Sequence, residues 1–178
     1  MRKVVVAMAV SLDGFVATSD GGLDWIFPRI DGDMQAWILD SVARTDTQLI
    51  GRVNYQEQEQ FWPNADGELA AHINAAEKIV FSSTLKSVDW KNARLAAGSL
   101  RSEIAALRRV EGRDILVPGG ARLAQAVSRQ GLVDEYRLIV HPTVLGAGLP
   151  LFTDPAELEL QDCRTFRTGA LALTYGRG

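Results

Sequence analysis

The spacing of hydrophobic positions changes several times along the chain, and each change marks an element. Lys3 to Val10 (KVVVAMAV) is an unbroken, β-branched apolar run closed by Ser-Leu-Asp-Gly, the pattern of a strand covered on both faces. From Asp33 to Ala43, Met34, Trp37, Ile38 and Val42 recur at helical spacing behind an aspartate able to cap. TQLI then reads as a strand entering GRVNYQEQEQF, a turn and short helix. ELAAHINAA reads as a helix and EKIVFSS as a strand. SLRSEIAALRRVEG sets Leu100, Ile104 and Leu107 on one helical face, with Gly112 as the expected stop. DILVPGGARLAQAV again places a strand before a helix, with only Pro118, Gly119 and Gly120 between them.

This alternation predicts an α/β fold whose parallel strands are joined by right-handed crossovers. The pattern then changes. DEYRLIVHPTVLG, ELELQDCRTFR and ALALTYG follow with no helix between them, and Thr168-Gly169 is a hairpin signal, so the carboxyl end is expected to be antiparallel. No repeat, low-complexity tract or linker interrupts the chain, and residues 1–178 read as one domain.

Composition narrows the partners. With 178 residues, 47% of them hydrophobic, the chain can bury one sizeable core. A net charge of −3 and the lack of any Lys/Arg run argue against nucleic acid and membrane surfaces as partners. Cys163 is the sole cysteine, which precludes an internal disulfide and a cysteine-based metal site and fits a reducing cytoplasm; no metal is expected. The amino-terminal apolar run reaches Ser11 and Asp13 too soon for a signal peptide and reads as the first strand.

Candidate chemistry gathers at three strand ends. LIGRVNYQ offers Gly51, Arg52 and Asn54; IVFSST offers Ser82, Ser83 and Thr84; LVPGGARL offers Gly119, Gly120 and Arg122. Glycine lets backbone approach an anion, serine and asparagine donate or cap, and arginine supplies a forked cation. Each alone has a plain alternative as a turn or a cap. In an open α/β sheet, however, all three fall beyond the carboxyl ends of strands, where ligands bind. Together they read as a dinucleotide cradle, although neither G-x-G-x-x-G nor a P-loop motif is present.

The order VVVAMAVSLDGFVA, LIGRVNYQ, IVFSST, LVPGGARLA and EYRLIVHPTVLGAGLPLF resembles the bacterial dihydrofolate reductase-like proteins grouped with the reductase domain of riboflavin biosynthesis. The resemblance spans nearly the whole chain. It implies a single-domain, three-layer dihydrofolate reductase-like α/β fold, with a mostly parallel central sheet and antiparallel carboxyl-terminal strands. It also implies NADPH as cofactor and a homodimer. By position, the Gly51-Arg52 turn with Ser82 and Ser83 would hold the adenosine 2′-phosphate, and the helix start at Asn54 would take a phosphate. Gly119, Gly120, Ala121, Arg122 and Leu123 would lie along the pyrophosphate and nicotinamide, the two glycines joined by a strained or cis peptide. Ala7, Val10 and Gly14 would contact the nicotinamide. Phe15, Asp24, Trp25, Asp33 and Trp37 would face the substrate, with Asp33 as the catalytic carboxyl and Asp31 the alternative for the helix-borne acid.

The chain departs from that pattern at three places. Val140 stands where a threonine completes folate binding, which argues against folate; Asn54 replaces a threonine; Ala124 replaces a tyrosine near the nicotinamide. Asp13 reads as a turn residue first and a substrate contact second, and His141 as structural rather than acid-catalytic. The expected function is an NADPH-dependent oxidoreductase passing hydride to a small pteridine- or pyrimidine-like heterocycle. The alternative is a non-catalytic NADP(H)-binding module of the same fold.

Overall fold

Three valines in succession cannot all face one side of a strand, so the chain's first apolar run must be covered on both faces. In the computed structural model, which describes residues 1–177, that run is β1 (Val4–Ser11), and Val4, Val5 and Val6 are fully buried. Each such side chain contributes about 1.5–3 kcal/mol by leaving water. A short β2 (Phe15–Ala17) precedes α1 (Gly32–Ala43), β3 (Thr45–Gly51), α2 (Arg52–Phe61), α3 (Glu68–Ala75), β4 (Glu77–Phe81) and β5 (Ala93–Leu95). The chain continues through α4 (Leu100–Leu107), β6 (Asp114–Val117), α5 (Ala121–Arg129), β7 (Glu135–His141), β8 (Leu149–Pro150), β9 (Leu158–Thr165) and β10 (Leu171–Arg177).

The main sheet has eight strands in the order β5-β4-β3-β6-β1-β7-β10-β9. Six of them, β5 through β7 in that order, run parallel, and β10 and β9 pair antiparallel at the end. Alternate side chains divide the core between the two faces. Val4, Val6, Leu49, Ile79, Ile115 and Val117 pack with Leu100, Ile104 and Leu107 of α4 and Leu123, Ala124 and Val127 of α5. On the other face Met34 of α1 packs with Ile139, Phe166 and Ala172, while Tyr55 of α2 and Ile73 of α3 meet Ile50 and Val80. The result is the expected three-layer α/β architecture.

Several local expectations are corrected. β7 pairs antiparallel with β10, as the expected antiparallel carboxyl end requires, but parallel with β1 through seven residues, so it also closes the parallel part of the sheet. A continuous apolar run such as YRLIV signals burial on both faces and carries no direction. Asp31, not Asp33, caps α1, its carboxylate accepting from the Met34 amide at 2.9 Å, and Asp33 sits in the exposed first turn. α4 ends at Leu107 rather than at Gly112, because the chain tightens there through Arg109 N to Ala106 O and Val110 N to Leu107 O. The Thr168-Gly169 hairpin forms as expected, with Gly169 at φ +84° and Phe166 N donating to Ala170 O at 2.9 Å. Among the described residues no helix is long and apolar enough to cross a membrane.

Candidate functional site

Parallel strands deliver their following loops to one edge, so β1, β3, β4, β6 and β7 set Ser11, Gly51, Phe81, Val117 and His141 along a common rim. Gly51 and Phe81 are register partners on β3 and β4, which brings Arg52 beside Ser82. Arg52 is exposed; its guanidinium donates to Gln56 Oε1 at 3.0 Å, and among the described residues no carboxylate pairs with it. Ser82 Oγ accepts from the amides of Thr84 (3.1 Å) and Leu85 (2.9 Å), fixing the loop, and shares a long hydroxyl contact with Thr84 Oγ1 at 3.4 Å. Ser83 and Thr84 beside it are exposed.

Asn54 does not open α2. Gly51 is the N-cap, and Asn54 lies within the first turn, where its Oδ1 accepts from Gln58 Nε2 at 2.8 Å. Its Nδ2 is buried with no partner among the described residues. A Cβ placed on Gly119 would stand 3.4 Å from that nitrogen, and one on Gly120 would stand 3.6 Å from Asn54 Cβ. The asparagine amide is therefore pressed against the double-glycine turn after β6. Both glycines occupy positive φ, +152° and +80°, and Gly120 is the N-cap of α5. The peptide joining them is trans, which removes the cis alternative of the strained-or-cis expectation; what glycine supplies is positive φ. Arg122 is exposed in the first turn of α5, whose leading amides point at the rim, whereas Ala121 and Leu123 pack into the core.

The remaining predicted residues divide between rim and core. Val10 is buried, Ala7 half-buried, and Trp37 packs with Met34 and Ile38 under α1. Gly14 is exposed at φ +90° in the β1–β2 turn, and Phe15 follows on β2, opposite Pro150. Asp24 and Asp33 are exposed, and Trp25 is half-buried. Asp13 does more than turn the chain. Its carboxylate accepts from Ser11 Oγ at 2.6 Å and from the amides of Leu145 (3.1 Å) and Gly146 (2.8 Å), tying the β1–β2 turn to the loop after β7. The Ser11 hydroxyl and those two amides hold its pKa below the usual carboxylate range.

The burial of His141 at the end of β7 agrees with a structural role, but among the described residues its ring makes no hydrogen bond at either nitrogen. Burial, with a smaller push from Arg29, lowers its pKa. No local signal in the sequence marks this, since it depends on Trp25 packing across from another part of the chain. Two open surface depressions, by Arg2 and Asp114 and by Asn74 and Trp90, lie at strand starts and away from this rim.

Comparison with known proteins points the same way. The family model described as the RibD C-terminal domain matches residues 2–172. The Bacillus subtilis (strain 168) protein YyaP, itself uncharacterized, is 34% identical over 98% of this chain and 94% of its own length. The riboflavin biosynthesis protein RibD of Corynebacterium ammoniagenes is 26% identical over 85% of this chain, which spans 46% of that longer protein. A crystal structure from Shewanella sp. PV-4, of a protein ascribed to riboflavin biosynthesis, superposes with a TM-score of 0.77 at 26% identity over 99% of both chains.

Proposed function

The chain belongs to the RibD C-terminal domain family, and from that premise we propose that it is an NADPH-dependent reductase acting on a small heterocycle. The observation that carries this reading is the Asn54 amide, buried without a partner against the Gly119–Gly120 turn. A buried donor left unbonded in the protein alone is accounted for if a bound group accepts from it, and bare backbone beside it lets that group come close. The residues present fit NADPH. Arg52, with no carboxylate among the described residues to neutralise it, and Ser82 with Ser83 would grip the 2′-phosphate. Gly51 and Asn54 at α2, and Gly119, Gly120 and Arg122 at α5, would hold the pyrophosphate through helix-start amides.

Bound there, NADPH supplies a hydride. The chain's own part is to orient and to exclude water. Ala7, Val10 and Gly14 along β1 and its turn flank the nicotinamide side, and Phe15 and Trp25 cover the substrate side. Asp33, an exposed carboxyl in the first turn of α1 at the same rim, is placed to hand a proton to the reduced heterocycle. The Asp13 clamp keeps the β1–β2 turn and the loop after β7 in fixed relation around them.

Mixing the protein with NADPH and a panel of pteridines, pyrimidines and related lactams, and following loss of reduced nicotinamide absorbance, tests the proposal. Consumption with at least one heterocycle is expected. Binding of NADPH with no consumption by any of them would leave a nucleotide-binding module, and no binding at all would remove the reading.

A further inference from the structure

The imidazole of His141 ends β7 in register with Ser11 of β1, is 0% exposed, and has neither Nδ1 nor Nε2 bonded. A neutral imidazole carries one N–H donor and one lone-pair acceptor. Over it stands the Trp25 indole in a T-shaped contact, ring centroids 5.5 Å apart, and the indole Nε1 is also buried without an acceptor. Two donors and one acceptor thus lie within a single aromatic contact, unbonded among the described residues. Buried polar groups left in this state are uncommon, and three together call for a missing partner.

The cover over His141 is lightly held. Residues 23–30 bond only among themselves: Ile26 N to Leu23 O, Arg29 N to Ile26 O, and Ile30 N to Phe27 O. Among the described residues no hydrogen bond from this segment reaches the sheet, and Leu23 and Phe27 turn outward, 40% and 62% exposed. A segment seated by side-chain contact alone opens at lower cost than the strands beneath it. Its position matters too. β1 stands between β6 and β7, so two strand spacings, about 10 Å, separate the strand that leads to the double-glycine turn from the strand that carries His141.

We propose that His141 and the Trp25 flap form a recognition subsite for the lactam edge, a C=O beside an N–H, of a small planar heterocycle. The indole N–H donates to the carbonyl oxygen, and the lactam N–H donates to the unprotonated imidazole nitrogen; the protonated ring nitrogen points away from this edge. Lifting of residues 23–30 admits the ring. That this ligand is the substrate rests on the reductase reading; the subsite itself does not.

Diethylpyrocarbonate acylates neutral imidazole, and the chain has two histidines, His72 and His141, which peptide mass spectrometry separates. At neutral pH, His141 of the folded protein is expected to react, and Trp25→Ala to speed the reaction by about fivefold or more by removing the cover. Millimolar uracil should slow it by about fivefold, whereas 1,3-dimethyluracil, which lacks the N–H, should not. A second measurement guards against a variant that misfolds. His141→Leu should keep or raise the thermal midpoint, because it removes unbonded polar atoms, yet lose uracil binding in equilibrium dialysis. A His141 that stays unmodified in both proteins until they unfold, as around a sealed water, overturns the proposal. So does reactivity without protection by uracil, or a lowered midpoint in His141→Leu with uracil binding intact. NADPH binding, read separately by nicotinamide fluorescence, can fail while uracil protection persists, and that result removes only the reductase reading.

Discussion

Asn54 and Gly119, one in the first turn of α2 and the other beyond β6, meet so closely that a side chain on the glycine would stand 3.4 Å from the asparagine amide nitrogen. The two loops are thereby made into one surface. Neighbouring Gly120 allows a test of what that surface serves. A Cβ there would make only ordinary contact, 3.6 Å to Asn54 Cβ and 3.9 Å to Nδ2, so the protein has room for it. The strain of holding alanine at φ +80° should cost about 1 kcal/mol of stability. NADPH affinity of Gly120→Ala should fall at least about tenfold, or about 1.4 kcal/mol, because the methyl occupies the ligand's side of the turn. Titration of the folded variant decides; wild-type affinity would mean the glycines serve the turn alone.

Arg52 sets cofactor choice in the proposed site. Among the described residues its bonded partner is the neutral Gln56 side chain, which leaves its charge available to an anion. Arg52→Ala should weaken NADPH by about one to two orders of magnitude, the scale of a lost charge-assisted pair, and leave NADH almost unchanged. Parallel titrations with the two nucleotides read this directly. An equal loss for both would take Arg52 away from the 2′-phosphate.

Assembly is the third prediction. β9 is the last strand of the sheet, its residues 159–165 are all exposed, and Leu160 is 52% exposed, so one row of backbone groups and an apolar side chain lack cover. We propose that this edge is buried in a homodimer. Light scattering at micromolar concentration should give twice the chain mass, and Leu160→Lys should shift it toward the monomer. A wild-type monomer at that concentration would sink the proposal.

Much of this layout was legible because burial writes itself into period. The valines of β1, the helical spacing of Met34, Trp37 and Ile38, and the Thr168-Gly169 turn each encode a local choice, and each appears where expected. The three glycine- and serine-rich strand ends were legible as a group, since parallel topology carries them to one rim. What was not legible depended on pairing between distant segments. The direction of β7 is set by β1 on one side and β10 on the other, and an apolar run has no sign. The unbonded state of Asn54 Nδ2 and of His141 arises from neighbours brought in by the fold, so residue type alone could mark them as polar but not as unsatisfied.

Lys78 offers a prediction about stability rather than ligand. It is fully buried on β4, its Nζ donating to Asn74 O (2.8 Å) and Lys91 O (3.1 Å) and lying 4.4 Å from the Trp90 ring centroid. Burial pushes its pKa down to about 8, below the 10.5 of the unfolded chain. Between those values the unfolded state binds more protons, so stability should rise with pH through that window; below pH 8 both states are charged and the desolvation cost stands in full. Tyr55, whose pKa is raised above 10 chiefly by burial, opposes this only at the alkaline end. Urea denaturation at successive pH values from about 8 to about 9.5 should therefore show a gain of about 1 kcal/mol, and Lys78→Met should flatten that slope whatever its absolute stability. The comparison is of slopes because methionine also strands the two carbonyls that Nζ now satisfies. An equal rise in the variant would mean that Lys78 keeps an ordinary pKa, its charge retained by those carbonyls and the indole face.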